Sequence, residues 1–318
     1  MPMPPSCTRT PRLVKGLTLA LTLLACRPDP GLTTPEGTSA PKPAAVSGVV
    51  QSASADKVLT PSASGQASAP ASAPRPSKDG SPQGVADQLA GRRPRSFGAD
   101  APGVISRFTP RARELALTID LCDGKDERSY DDALFDLIAA EKIPATVFVT
   151  GLWARHHTTE LRWLTQQPLL EIANHGSRHK PCTVNGRSAF GIAGTRSLAE
   201  AIAEIDDNAN LLEGMTGSRP RFYRSGTAHF DDVCAEAVQL LGEVPMGFSV
   251  AGDGGAGFDQ AGVERALATA NPGAIVILHG HRPNRFAFEG LREALPTLRK
   301  RDISFVRLSE ISDRFEVR

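Results

Sequence analysis

The chain has 318 residues, 36 of them Lys or Arg and 35 Asp or Glu, for a formal net charge of +1. That balance, with no basic stripe interleaved with aromatics, argues against nucleic acid as a partner. The length could hold two domains, but composition confines the expected fold to residues 101–318, enough for one domain with a substantial core.

The N-terminus has a basic start (Arg9, Arg12, Lys15) and then an apolar run from Gly16 to Ala25. The run is too short to span a bilayer, and its flanks fit an export signal. It ends at Leu23-Leu24-Ala25-Cys26, which resembles a bacterial lipobox, the signal in which the cysteine is lipidated and becomes the new N-terminus. Residues 1–26 are therefore expected to be a lipoprotein signal peptide, with an ordinary signal peptide as the alternative. Cys26 would carry the lipid and reach into the bilayer. The expected address is the cell envelope, with the outer membrane preferred because Arg27 gives no inner-membrane retention signal. Residues 27–100 are rich in Pro, Ala, Ser, Thr and Gly, cannot bury enough apolar area to offset ordering, and are expected to form a disordered tether.

The rest alternates strands and helices. Leu115 to Leu121 reads as a strand, and Tyr130 to Lys142 as a helix with Ala133, Leu134, Leu137 and Ile138 on one face. Ala145 to Thr150 is β-branched and follows the helix-breaking Pro144. A helix over Thr158 to Gln167 leads to a strand ending near Ala173, and Ser197 to Gly214 reads as a longer amphipathic helix. Phe222 to Arg224, a helix near Asp231 to Leu241, a strand over Met246 to Val250 and a helix near Gln260 to Ala270 follow. Gly273 to Leu278, Glu289 to Arg301 and Ile303 to Leu308 complete a strand, a helix and a last strand. Such alternation predicts a mostly parallel α/β fold with functional groups at the carboxyl ends of the strands. Because several strand ends carry such groups, a (β/α) barrel, distorted or incomplete, is expected rather than an open sheet.

Those groups are the informative part. Asn174-His175-Gly176-Ser177-Arg178-His179 follows an apolar run and contains turn formers, so the two histidines belong to a loop rather than to one helix face. Thr118-Ile119-Asp120-Leu121-Cys122-Asp123-Gly124 and Val276-Ile277-Leu278-His279-Gly280-His281 close two further strands. Carboxylates and imidazoles gathered in this way suit a borderline divalent metal and suggest a metal-dependent hydrolase. Beyond the export segment three cysteines remain. Cys122 and Cys182 adjoin site loops and are candidates for a disulfide with each other; a ligand role is expected for neither. His229 and the His156-His157 pair are expected on solvated loops, and Trp153 and Trp163 in the core or stacked on a sugar.

Over about residues 112 to 312 these motifs resemble, in order, those of the NodB-homology polysaccharide deacetylases, the fourth carbohydrate esterase family. Leu117-Thr118-Ile119-Asp120 is similar to the start of that family's Thr-Phe-Asp-Asp motif, and His175 to His179 to its His-Ser/Thr-x-x-His motif. Arg224-Ser225-Gly226-Thr227 echoes its Arg-x-Pro-aromatic segment, and Leu278-His279 matches its Leu-His. The sequence departs where Leu121 stands in place of the second aspartate, where proline and an aromatic are missing after Arg224, and where the fourth motif survives only as Phe248 to Asp253. A first motif of the Thr-Phe-Asp-Leu-Cys type implies a divergent branch.

The resemblance implies a divalent metal, expected to be zinc with cobalt, nickel or manganese as alternatives, held by His175, His179 and Asp123. It implies Asp120 as general base oriented by Arg224, and a backbone N–H near Thr227 for the oxyanion. His279 would be the general acid, held by Asp253. Exchange of Asp120 and Asp123, and His281 as the acid, stay open. The implied activity is removal of acetyl groups from an N- or O-acetylated polysaccharide: peptidoglycan, a chitin-like oligomer or an exopolysaccharide. A glycan-binding lipoprotein without turnover and a hydrolase of other linear amides are the alternatives.

Overall fold

The computed structural model describes residues 80–122 and 129–317. The elements run α1 (Pro82–Gln88), β1 (Phe97–Gly98), β2 (Glu114–Leu121), α2 (Asp132–Ala140), β3 (Ala145–Val149), α3 (Gly151–His156), α4 (Thr158–Gln166) and β4 (Leu170–Asn174). There follow α5 (Leu198–Thr216), β5 (Phe222–Tyr223), β6 (Phe230–Asp231), α6 (Asp232–Leu240), β7 (Val244–Pro245), β8 (Val250–Ala251), α7 (Gln260–Ala268), β9 (Ile275–His279), α8 (Ala287–Lys300) and β10 (Ser304–Val306).

An eight-stranded sheet follows the order β7-β5-β4-β3-β2-β9-β8, with β10 also paired to β2, and every pairing in it is parallel. It is curled into a half-barrel, the distorted barrel that the alternating pattern predicts. Parallel neighbours need crossovers, and the helices supply them. One sheet face packs its Leu115, Leu117, Ile119 and Leu121 row against α2, α7 and α8. The other face meets Phe148, Phe222 and Met246.

Local signals set the helix ends. Asp131, Thr150, Ser197, Asp231 and Asp259 each accept a backbone N–H of the first helical turn, satisfying donors that no earlier carbonyl can reach. The helix expected to end near Gly214 runs on to Thr216 and stops at Gly217, which takes the left-handed conformation.

Three expectations need correction. The strand expected over Met246 to Val250 is two short strands at opposite ends of the sheet path. Between them the Met246 N–H donates to Tyr223 O and the Ser249 N–H to Ile275 O, so residues 246–249 span the open side of the half-barrel. Residues 82–98, expected within the disordered tether, hold a helix and a short strand instead. Ser81 caps α1, Pro82 begins it, and Val85 and Leu89, four apart on one face, are buried with residues of α5 and α6. β1 then pairs antiparallel with β6. Finally, Cys182 bonds to Cys234 at the start of α6, not to Cys122, which is free and buried. The bond ties the loop after His179 to α6 and closes a 52-residue separation, a constraint worth roughly 4 kcal/mol in the chain-entropy account.

Among the described residues, no helix is long and apolar enough to cross a membrane. The expected signal peptide and Cys26 lie outside the described residues.

Candidate active site and metal centre

Strand ends bring the site together. β2 delivers Asp120 and Cys122, β4 leads into His175, β5 into Arg224, β8 into Asp253, and β9 ends on His279. Asp120, Cys122, His179, Thr227, His279 and His281 line one cavity of about 760 Å³, with Phe190 and Phe248 among its walls.

Arg224 is fully buried. Its Nη1 donates to Asp120 Oδ1 at 2.7 Å, its Nη2 donates to Gly247 O at 2.9 Å, and its guanidinium lies 4.2 Å from the centre of the Phe148 ring. Burial pushes the Asp120 carboxyl up, but the charge of Arg224, followed by His175, outweighs it and holds Asp120 below the usual carboxylate range. Asp120 Oδ2 faces His175 Nε2 at 3.4 Å. Asp120 is thus ionised, held by Arg224 and beside the histidine pair.

His175 Nδ1 donates to the Arg224 carbonyl at 2.9 Å, which fixes the tautomer and leaves Nε2 as the lone-pair nitrogen. That Nε2 is buried and has no hydrogen-bond partner. Burial lowers the pKa of both histidines, that of His179 to about 3, so both rings are neutral at ordinary pH. A ring nitrogen of each, together with Cys122 Sγ, lies within 4.8 Å of the others. Neutral imidazoles with an orphaned buried nitrogen fit a divalent metal. Asp123, the ligand expected beside them, lies outside the described residues.

The opposite wall holds the other histidine. His279 Nδ1 donates to Asp253 Oδ1 at 3.0 Å, and the His279 N–H donates to Asp253 Oδ2 at 2.7 Å. Burial alone would lower the His279 pKa; the Asp253 carboxylate outweighs burial and raises it. His281 differs. Its Nδ1 donates to Asp120 O, its Nε2 accepts from Arg282, and burial takes its pKa to about 4. Of the two, His279 is the ring equipped to carry a proton.

Backbone strain concentrates here. His179, Thr227 and Ala228 have φ of 60°, 65° and 53°, uncommon for residues with a side chain, and all three line the cavity. Gly226 permits the close approach: a Cβ there would sit 2.1 Å from the His179 carbonyl carbon.

Other groups that hold the site are not named by the motifs. Glu204, buried on α5, accepts from the Arg178 N–H at 2.7 Å and so clamps the loop between the two histidines. Asn174 donates to Glu243 at 3.0 Å and accepts from Asn208 and from the Gly176 N–H. The signal for Glu204 and Asn208 was available, since both are polar residues on the expected core face of α5. Two residues expected to be solvated are not: His157 is buried, stacked on Trp153 and bonded to Ser129, and His229 is half-buried against Phe97 and Phe190. Trp153 is core.

The family model described as polysaccharide deacetylase matches residues 108–244. The fold is similar to that of a CE4-family pseudoenzyme from Bacillus anthracis, at 18% identity and TM-score 0.55 over 66% of this chain and 69% of that one. A family 4 carbohydrate esterase of Bacillus subtilis gives 20% and 0.54 over 68% and 86%. A peptidoglycan N-acetylglucosamine deacetylase gives 18% and 0.55 over 68% and 96%. At these identities the structural likeness is one of fold.

Proposed function

We propose that the protein is a metal-dependent deacetylase of an acetylated envelope polysaccharide, with peptidoglycan, the substrate named for one structural relative, as the first candidate. The observation that carries this reading is the facing arrangement across one cavity: Asp120 held between Arg224 and His175, and His279 held by Asp253.

His175 and His179 would hold the metal together with a third ligand. Bound there, a divalent ion supplies Lewis acidity toward the carbonyl and toward water. Asp120 accepts the proton of the attacking water, and Arg224 keeps that carboxylate ionised and aimed. Thr227 lines the cavity, and its backbone N–H would serve the developing oxyanion, a contact of a kind worth roughly 3 kcal/mol. His279 gives its proton to the departing nitrogen, or oxygen in an ester, while Asp253 balances its charge. Phe190, 84% exposed at the rim, offers an aromatic face to a sugar ring.

One observation favours a second reading, a glycan-binding protein without turnover. Leu121 occupies the position of the family's second aspartate and is buried in the core, and one structural relative is a pseudoenzyme.

Acetate release by the purified full chain separates the two readings. The panel is chitooligosaccharides, peptidoglycan and acetylated exopolysaccharide, each with added zinc or with chelator. Chelator-sensitive release supports the enzyme; no release by a folded, metal-loaded protein supports the binding reading.

We further propose export and lipidation at Cys26. The Cys182–Cys234 disulfide supports export, since such bonds persist in oxidising compartments. Palmitate labelling that survives in Cys26→Ala would overturn the lipidation.

A further inference from the structure

We propose that Cys122 is the third protein ligand of the metal, so that this chain holds its ion with one thiolate and two imidazoles. The inference rests on the metal-dependent reading above and says which residue replaces the carboxylate ligand.

The alternation of side chains along β2 leads to it. Leu115, Leu117, Ile119 and Leu121 point to one face, where they share a core with α2 and α8. Leu121, directly after Asp120, therefore faces away from the site and into the core. Asp120 and Cys122 point the other way, and both line the cavity. Among the described residues of this strand end, Cys122 is the group beside Asp120 that can offer a further ligand atom to the cavity.

The partners are in place. Cys122 Sγ and one ring nitrogen from each of His175 and His179 lie within 4.8 Å of one another. Zn–S bonds of about 2.3 Å and Zn–N bonds of about 2.0 Å set ligand atoms roughly 3–4 Å apart. Small side-chain rotations close the set. His175 Nε2, 1% exposed as a residue, faces Asp120 Oδ2 at 3.4 Å but makes no hydrogen bond, so its lone pair is free to take an ion. Cys122 is free to serve, because Cys182 and Cys234 are bonded to each other. Asp120 is committed to Arg224, which keeps the base separate from the ligand set.

Binding would release the thiol proton and form the metal–sulfur bond. Three protein ligands leave a coordination position open, as hydrolytic zinc sites require. A thiolate also changes selectivity, favouring zinc and cobalt over manganese and magnesium relative to a carboxylate set.

The test strips the full-length protein with chelator and titrates it with cobalt(II), then with zinc. The wild type is expected to show a thiolate-to-cobalt charge-transfer absorption in the near ultraviolet. Cys122→Ser is expected to lose the band and weaken metal retention at least tenfold, while Asp123→Asn retains both. Cys122→Asp guards against a folding defect: it should keep the metal, lack the band and accept manganese more readily than the wild type. Stoichiometric cobalt that depends on His175 but gives no such band would overturn the proposal. So would loss of metal from Asp123→Asn with Cys122→Ser unaffected. No cobalt or zinc bound by the folded wild type would instead overturn the metal-dependent reading itself.

Discussion

His179 and His279 line the same cavity, yet their environments drive their protons in opposite directions. His179 is desolvated beside His175, and its pKa falls to about 3. His279 is comparably enclosed, but Asp253 grips its Nδ1 and raises its pKa. One wall thus presents neutral nitrogen lone pairs and the other a ring that retains a proton. Divergent environments for like groups mark the division of labour in acid–base sites. Asp120 and Asp253 differ in their partners: both are depressed, the first chiefly by the Arg224 guanidinium, the second by the His279 imidazole.

The sharpest way to break this comparison is to remove the base. Asp120→Asn keeps the size of the side chain but takes away its proton affinity and leaves Arg224 buried without its partner charge. Turnover is expected to fall about 100- to 10,000-fold, measured as acetate release. Metal content should be retained. Loss of metal instead would mean that Asp120 is a ligand, as the exchanged assignment of the two aspartates requires.

The opposite wall gives a smaller and more diagnostic effect. Asp253→Asn removes the charge that raises the His279 pKa. The acid form of His279 exists only below that pKa, so the basic limb of the pH–kcat profile should move to lower pH, with a loss of roughly tenfold at alkaline pH. An unmoved limb would show that His279 is not the proton donor.

The third effect is smaller again and concerns substrate alone. Phe190 and Gly191, both at positive φ, form the tip of a two-residue turn closed by paired hydrogen bonds between Ala189 and Ile192. Phe190→Ala should raise KM for a polymeric substrate about three- to tenfold, a contact of about 1 kcal/mol, with kcat unchanged. A fall in kcat with constant KM would place the ring on the reaction path rather than at the rim.

What the sequence made legible follows from how local each signal is. β2, β3 and β9 are written as unbroken apolar or β-branched runs, and α5 as a capped amphipathic repeat, so their places could be read directly. The strand-end histidines and Asp120 were visible because their neighbours are turn formers or apolar runs. Helix α1 was hidden by a Ser/Pro/Ala-rich context, although Val85 and Leu89 carry the packing. The disulfide was misread because Cys182 and Cys234 meet only once the loop after His179 folds over α6. The side of the strand that Cys122 faces is likewise set by the β2 pleat, which turns Leu121 into the core and leaves Cys122 lining the cavity.

The clamp beneath the histidine loop offers the finest test, because it separates holding the site from performing its chemistry. Glu243 is buried, accepts from Asn174 with one oxygen and has no partner for the other. Burial pushes its pKa up to about 8 in the fold, from the ordinary glutamate value of 4.5 in the unfolded chain. Between those two pH values the folded protein holds a proton that the unfolded chain has released, so the unfolded state binds fewer protons and stability falls as pH rises. The contribution is complete below about pH 4.5 and lost as pH passes through about 8. Glu243→Gln carries no titrating group and can still accept from Asn174. Its Tm should therefore decline less steeply than that of the wild type across this window, while acetate release at a fixed pH within it stays within about twofold, since the residue is linked to the ligands only through Asn174. Parallel Tm profiles for the two proteins would mean that Glu243 is ionised in the fold and that a charged partner reaches it.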